Sequence, residues 1–150
     1  MQFLCKSLLM ENRKVDAGVK ADSTNPRFVL VVIQYAAQLD VKKLTNAIRS
    51  LRKDVTQRLD LNDFNFRIAT EEDNRRISGY EHNSVTPFGL LEDVPIVVAS
   101  PLRDLQFFWM GGGHVHLKLG MAFSDFCKAT NPVVADISQP RTSFEDCEDD

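Results

Sequence analysis

No apolar run in this chain of 150 residues approaches the ~20 residues needed to cross a membrane as a helix. The opening MQFLCKSLLMENRK lacks the charged leader and small-residue cleavage site of a signal peptide, and Lys6 interrupts its apolar stretch. Cysteine is scarce. Cys5, Cys127 and Cys147 are odd in number and widely spaced, which fits neither a disulfide framework nor a CxxC metal site. A reducing compartment, most simply the cytoplasm, is the expected setting. GxSxG is absent, and Ser84 in EHNSVTP does not follow a strand and open a helix, so no Ser-His-Asp hydrolase is indicated. GxxxxGK[ST] is absent as well, so the run Gly111-Gly112-Gly113 is not a phosphate loop. No internal repeat is present.

What is there is the composition of an ordinary globular domain, 43% hydrophobic and 26% charged, in a chain long enough to bury a real core. The net charge of −3 is unevenly spread. Asp136 to Asp150 hold six acids against Arg141 and carry −5, which leaves +2 for residues 1–135. This acidic tail, 136–150, is poor in apolar residues and contains Pro140, so it is expected to be disordered. Lys42, Lys43, Arg49, Arg52, Lys53 and Arg58, with Arg75 and Arg76, form either a phosphate-contacting patch or a solvated helix face.

Local pattern predicts interspersed strands and helices. FVLVVIQ (28–34) is a continuous, β-branched apolar run and reads as a buried strand. Asp40 reads as an N-cap for a helix on which Val41, Leu44, Ile48, Leu51 and Val55 recur at helical spacing. In FNFRI the alternation puts Phe64, Phe66 and Ile68 on one side of a strand. Thr70-Glu71-Glu72-Asp73 resembles a capping box that opens a short helix ending near Gly79. PIVVAS (95–100) is a second buried strand. QFFWM (106–110) and HVHLKL (114–119) read as a hairpin joined by the glycine run. A last helix is expected over 121–129, with Pro132 just beyond it. KSLLM and the later VDAGVKA suggest a further strand, followed by a polar loop through Asp22–Pro26. The fold class is α/β, in the mixed α+β sense: a twisted mixed sheet surrounded by helices.

Few residues carry chemistry. His114 and His116, two apart on a strand, either begin a zinc site or are ordinary strand residues; neither His82 nor the cysteines supply a third ligand at a matching spacing. The glycine run either makes a simple hairpin turn or lets a ligand approach main-chain amides. Lys6, flanked by Leu4, Cys5, Leu8 and Leu9, either snorkels from a strand end or sits partly desolvated. In the second case it offers a short-range cation to a phosphate or a developing oxyanion.

An ordered series of short segments gives these parts a context. It runs from CKSLLM through FVLVVIQ, LDVKKL and ATEED to GYEHNSVTPFGL, then PIVVAS and WMGGGHVHLKLG. From Lys6 to Ala129 the chain resembles the YbaK/ProX family of aminoacyl-tRNA deacylases, related to the editing insertion domain of bacterial-type prolyl-tRNA synthetase. The resemblance implies an editing domain over residues 1–135 and a cleft for the aminoacylated 3′ end of a tRNA. It implies hydrolysis of the ester of a mischarged tRNA, with Lys6 as the catalytic side chain. The Gly-x-x-x-Pro loop of the family corresponds to Asn83, Ser84, Val85, Thr86 and Pro87. With Gly89 and the turn Gly111, Gly112 and Gly113 it would form the substrate-binding wall. The implied partners are the tRNA acceptor end and an aminoacyl-tRNA synthetase, without membrane or DNA, and with neither cofactor nor metal. Two departures stand out. The family usually has Gly at the position of Asn83, and it carries a few dozen residues ahead of the lysine where this chain has five, so a family-typical N-terminal segment is expected to be missing. The alternative expectation is a non-catalytic tRNA- or synthetase-binding module of the same fold.

Overall fold

The apolar run FVLVVIQ becomes strand β2 (Phe28–Gln34), in which Val29 to Ile33 are fully buried. A strand covered on both faces has no polar side with which to alternate. In the computed structural model, which describes residues 3–20 and 22–141, β1 (Cys5–Asn12) runs antiparallel to β2, with Cys5 opposite Gln34 and Glu11 opposite Phe28. Beyond β2 lie β5 (Ile96–Ala99) and then β8 (Val133–Ala135), each parallel to its neighbour. β4 (Phe66–Ile68) pairs antiparallel with the far end of β1. The result is a mixed sheet in the order β4-β1-β2-β5-β8. Two small antiparallel pairs accompany it: β3 (Ala37–Leu39) with β9 (Ser138–Pro140), and β6 (Phe107–Gly111) with β7 (Lys118–Ala122). The mixed α/β architecture is the one expected.

Helices cover both faces. Asp40 caps α1 (Val41–Arg49) by accepting from the amides of Lys42 and Lys43, and the helix buries Leu44 and Ile48 with Val29, Val31 and Ile33. On the opposite face, α2 (Glu71–Ser78) packs Ile77 with Leu9 and Leu30. Thr70 accepts from the Asp73 amide at its start, and Gly79 ends it at φ 81°, the left-handed geometry that glycine adopts without strain. In α3 (Phe123–Thr130) the ring of Phe126 meets those of Phe108 and Phe88 edge to face, at 5.3 and 6.3 Å. Among the described residues no helix is long and apolar enough to cross a membrane.

Several boundaries differ from expectation. α1 stops at Arg49, and Val55 is exposed in a separate helical turn, because the Asp54 carboxylate captures the Thr56 amide and restarts the chain. β4 begins only at Phe66; Phe64 and Phe66 are both buried, yet Ile68, expected on the same side, is 45% exposed, and the next residue, Ala69, is buried and donates its amide to Leu9 O. The segment 15–20 forms turns rather than a strand. The second hairpin strand begins only at Lys118. Residues 112–117 are its turn, closed by Gly112 N to Leu117 O and Leu117 N to His114 O, both 2.9 Å. Met121 and Ala122 finish that strand, so α3 starts at Phe123.

Residues 136–140, expected to be disordered, are held against the domain. Ile137 is fully buried, Ser138–Pro140 pair with β3, and Asp136 and Ser138 O both bind Lys43 Nζ, at 3.1 and 3.0 Å. One apolar residue and a short strand suffice to hold an acid-rich segment down. Residues 142–150, including Cys147, lie outside the described residues.

Candidate functional site

The edge of β1 opposite β2 is used twice, with a gap between. Leu4 O accepts from Tyr35 N at 2.9 Å, so the peptide groups of Leu4 point toward β2. Strand alternation then turns those of Cys5, Ser7 and Leu9 to the other edge. Two bonds agree with this parity: Trp109 N to Phe3 O at 2.7 Å and Ala69 N to Leu9 O at 2.9 Å. Between them no described strand pairs with that edge, since β6 bridges at Leu4 and β4 begins at Met10. A cavity of about 100 Å³ occupies this gap, which is why the consecutive residues Cys5 to Leu9 all line it.

Lys6 is at the head of this cavity. It is only 7% exposed, and its Nζ lies 5.7 Å from the centre of the Tyr35 ring. Lys118 approaches the same ring, also at 5.7 Å, and lines the cavity too. Two lysines thus converge on one aromatic face. Neighbouring Cys5 is no nucleophile, because burial pushes its thiol up to about 12 and keeps the sulfur protonated at neutral pH. Ser7 also lines the cavity, and its buried hydroxyl has no hydrogen-bond partner among the described residues.

The opposite wall is the loop quoted above, pressed against the glycine turn. Asn83 takes the left-handed conformation at φ 64°, which asparagine tolerates better than most residues. It and Val85 line the cavity, as does Gly111. A Cβ on Gly111 would lie 2.7 Å from the carbonyl oxygen of Val85, so the two walls touch through main chain. Ser84 faces inward, its hydroxyl donating to Glu81 O at 2.7 Å, and Pro87 is buried. Thr86, Gly89 and Gly112 border a second hollow of about 330 Å³, which shares Lys118 with the first. Gly113 abuts the Tyr80 ring, while the Tyr80 hydroxyl donates to Phe88 O and abuts Gly89. Tyr80 therefore ties the Pro-Phe-Gly turn to the glycine turn.

Of the expected site residues, the fold brings Lys6, Asn83, Val85 and Gly111 to one cavity and gives the others places in its supports. Sequence reasoning missed Tyr35, Glu71, Asn74, His82 and Lys118, which also line it. Glu71 and Asn74 are one helical turn apart, a spacing that offered a signal; Tyr35 and Lys118 had none. His114 and His116 are in the hairpin turn, not on a strand face. The His116 amide donates to His114 Nδ1 at 3.2 Å, and no group of three metal-ligating side chains exists among the described residues. Of the basic residues on and after α1, Lys42 and Lys53 are exposed, and the others are engaged by the protein itself. Lys43, Arg49, Arg52 and Arg58 bind protein acceptors, Asp136, Leu59 O, Asp22 and Arg52 O among them. Arg75 pairs with Glu81, and Arg76 with Asp73 and Glu92.

Fold and cavity define a small mixed α/β domain with a buried lysine in a cleft beside a glycine turn. The chain belongs to the aminoacyl-tRNA editing domain family, whose sequence model matches residues 2–129. No curated protein matches it in sequence. Solved structures share the fold. One is a candidate trans-editing enzyme for prolyl tRNA synthetase, with 20% identity, a TM-score of 0.70, and coverage of 92% of this chain and 71% of that one. The hypothetical protein APE2540 is similar at 20% identity and a TM-score of 0.68, covering 92% and 75%. A computationally designed epitope-presenting scaffold is similar at 16% identity and a TM-score of 0.71, covering 93% and 74%.

Proposed function

We propose that this protein is a trans-editing aminoacyl-tRNA deacylase that hydrolyses the ester of a mischarged tRNA. The observation that carries this reading is the buried Lys6 in a cavity also lined by Asn83, Val85 and Gly111, with Val85 O pressed against Gly111. An aminoacyl ester is already activated, so placement and charge stabilisation are enough. Water adds its oxygen to the ester carbonyl carbon. The bond from that carbon to the ribose oxygen then breaks; one proton of the water passes to the ribose oxygen, which leaves as a hydroxyl, and the other is lost to solvent as the amino acid departs as a carboxylate. Lys6 and the peptide N–H groups on the open edge of β1 stabilise the charge on the carbonyl oxygen, and Lys118 holds the terminal phosphate. The Ser7 hydroxyl is free to bond the aminoacyl amine or carbonyl.

The cavity also supports a size sieve. A volume of about 100 Å³ is smaller than the ~150 Å³ that accepts a benzene ring, which favours small aminoacyl groups over bulky ones, as in double-sieve editing. The left-handed Asn83 favours the enzyme over the non-catalytic module, because the turn holds without the family's glycine. The substrate is a tRNA engaged at its acceptor end, a synthetase is a fitting source of it, and the cytoplasm is the fitting place. Deacylation of a panel of mischarged tRNAs tests the reading. Hydrolysis of pairs with small amino acids is expected. A chain that folds and hydrolyses none of them is a binding module instead.

A further inference from the structure

Strand β6 alternates sharply. Phe108 and Met110 are fully buried, while Phe107 and Trp109 are 44% and 46% exposed. The two exposed rings meet edge to face with centroids 5.6 Å apart. Gly120 is opposite Trp109 and Lys118 is opposite Gly111, so Phe107, Trp109, Gly111, Lys118 and Gly120 share one face of the hairpin. Gly120 is bare for a steric reason. A Cβ there would come within 2.8 Å of the Trp109 ring and 2.9 Å of Phe107. The rings thus lie over the glycine instead of standing on a bed of side chains. At the other end of the same face, Gly111 and Lys118 line the cavity. The aromatic surface is therefore continuous with the cavity, and a lysine stands where the two meet.

We propose that this face docks the unpaired 3′ end of the RNA whose aminoacyl group enters the cavity, with a base stacked on Trp109 and a backbone phosphate beside Lys118. The proposal rests on the deacylase reading above. Every base has a π face, so an aromatic platform next to cations holds single strands with little regard to sequence. Charge is complementary here. Lys6 and Lys118 both line the cavity, and Glu71 is the one carboxylate among its lining residues.

Trp109 is the sole tryptophan of the chain, so its fluorescence reports on the platform directly. The probes are the trinucleotide CCA and an RNA hairpin ending in unpaired CCA, both without an amino acid. Saturable quenching is expected with each. Trp109→Leu keeps an apolar side chain over Gly120 but has no π face; it should raise the KM of deacylation about 5- to 100-fold with kcat within about twofold, and Trp109→Phe should restore most of the loss. Absence of quenching by either RNA, an unchanged KM in Trp109→Leu, or burial of Trp109 by self-association of the chain would each overturn the platform. The two readings fail separately. Quenching without deacylation of any charged tRNA overturns the deacylase and leaves the platform standing, whereas normal deacylation by Trp109→Leu removes the platform alone.

Discussion

Replacing Gly111 with alanine adds a single methyl group at the seam between the two walls of the cavity. The glycine has no positive φ, so the change brings no left-handed strain. The methyl would lie 2.7 Å from Val85 O, about 0.7 Å short of the 3.4 Å at which ordinary contact begins. The obstacle is a main-chain carbonyl, not the tip of a flexible side chain. Its loop is pinned, because Val85 is buried and Ser84 is bonded to Glu81. Overpacking of this kind costs about 1–3 kcal/mol, which lowers Tm by roughly 3–10 °C in a domain of this size. Parting the walls by a large fraction of an ångström should reduce kcat/KM for deacylation about 10- to 100-fold. Calorimetry and single-turnover deacylation read the two effects. Gly18→Ala is the control: it meets open space at φ 94°, so it should lose about 1 kcal/mol through backbone strain and leave deacylation unchanged. Wild-type Tm and rate in Gly111→Ala would refute the contact between loop and turn.

Asn83 and Asp73 supply two more tests. Asn83→Gly should keep both stability and deacylation, whereas Asn83→Val, a β-branched residue at φ 64°, should lose about 1–2 kcal/mol in urea denaturation; equal midpoints for the two variants would contradict the left-handed turn. The Arg76 guanidinium hydrogen-bonded to Asp73 holds its carboxyl below the usual range, so this pair stabilises the fold above the unfolded carboxylate pKa of about 4. That contribution is lost as pH falls through the lower folded value. The Tm of Asp73→Asn should therefore lie below wild type at neutral pH and approach it as acid protonates the folded carboxyl, and a gap that does not narrow as pH falls would contradict the pairing.

Local signals in the sequence were strong wherever the structure is locally determined. Asp40, Thr70 and Gly79 announce helix ends through side-chain and backbone preferences that need no tertiary context. FVLVVIQ announces a strand covered on both faces. Lys6 was notable for a charge set in an apolar strand, and its burial agrees with that reading. The gap in the edge of β1 was invisible, because it depends on two distant segments stopping short of each other on the same strand. Lys118 and Tyr35 meet only through the docking of the hairpin. The late start of β7 was hidden because main-chain bonds, with no side-chain signature, close the turn before it. Ile137 lies in the acid-rich segment expected to be disordered, and its burial goes with the pairing of β9 and β3, which composition does not reveal.

In the proposed deacylase, Lys6 acts on the ester within the cavity at the edge of β1. The most direct test of this role is single-turnover deacylation of a mischarged small-amino-acid tRNA by wild type and Lys6→Ala, each shown to be folded. Removal of a preorganised charge-stabilising group predicts a rate lower by about 10²–10³. A folded Lys6→Ala protein that hydrolyses the ester at the wild-type rate would contradict the account.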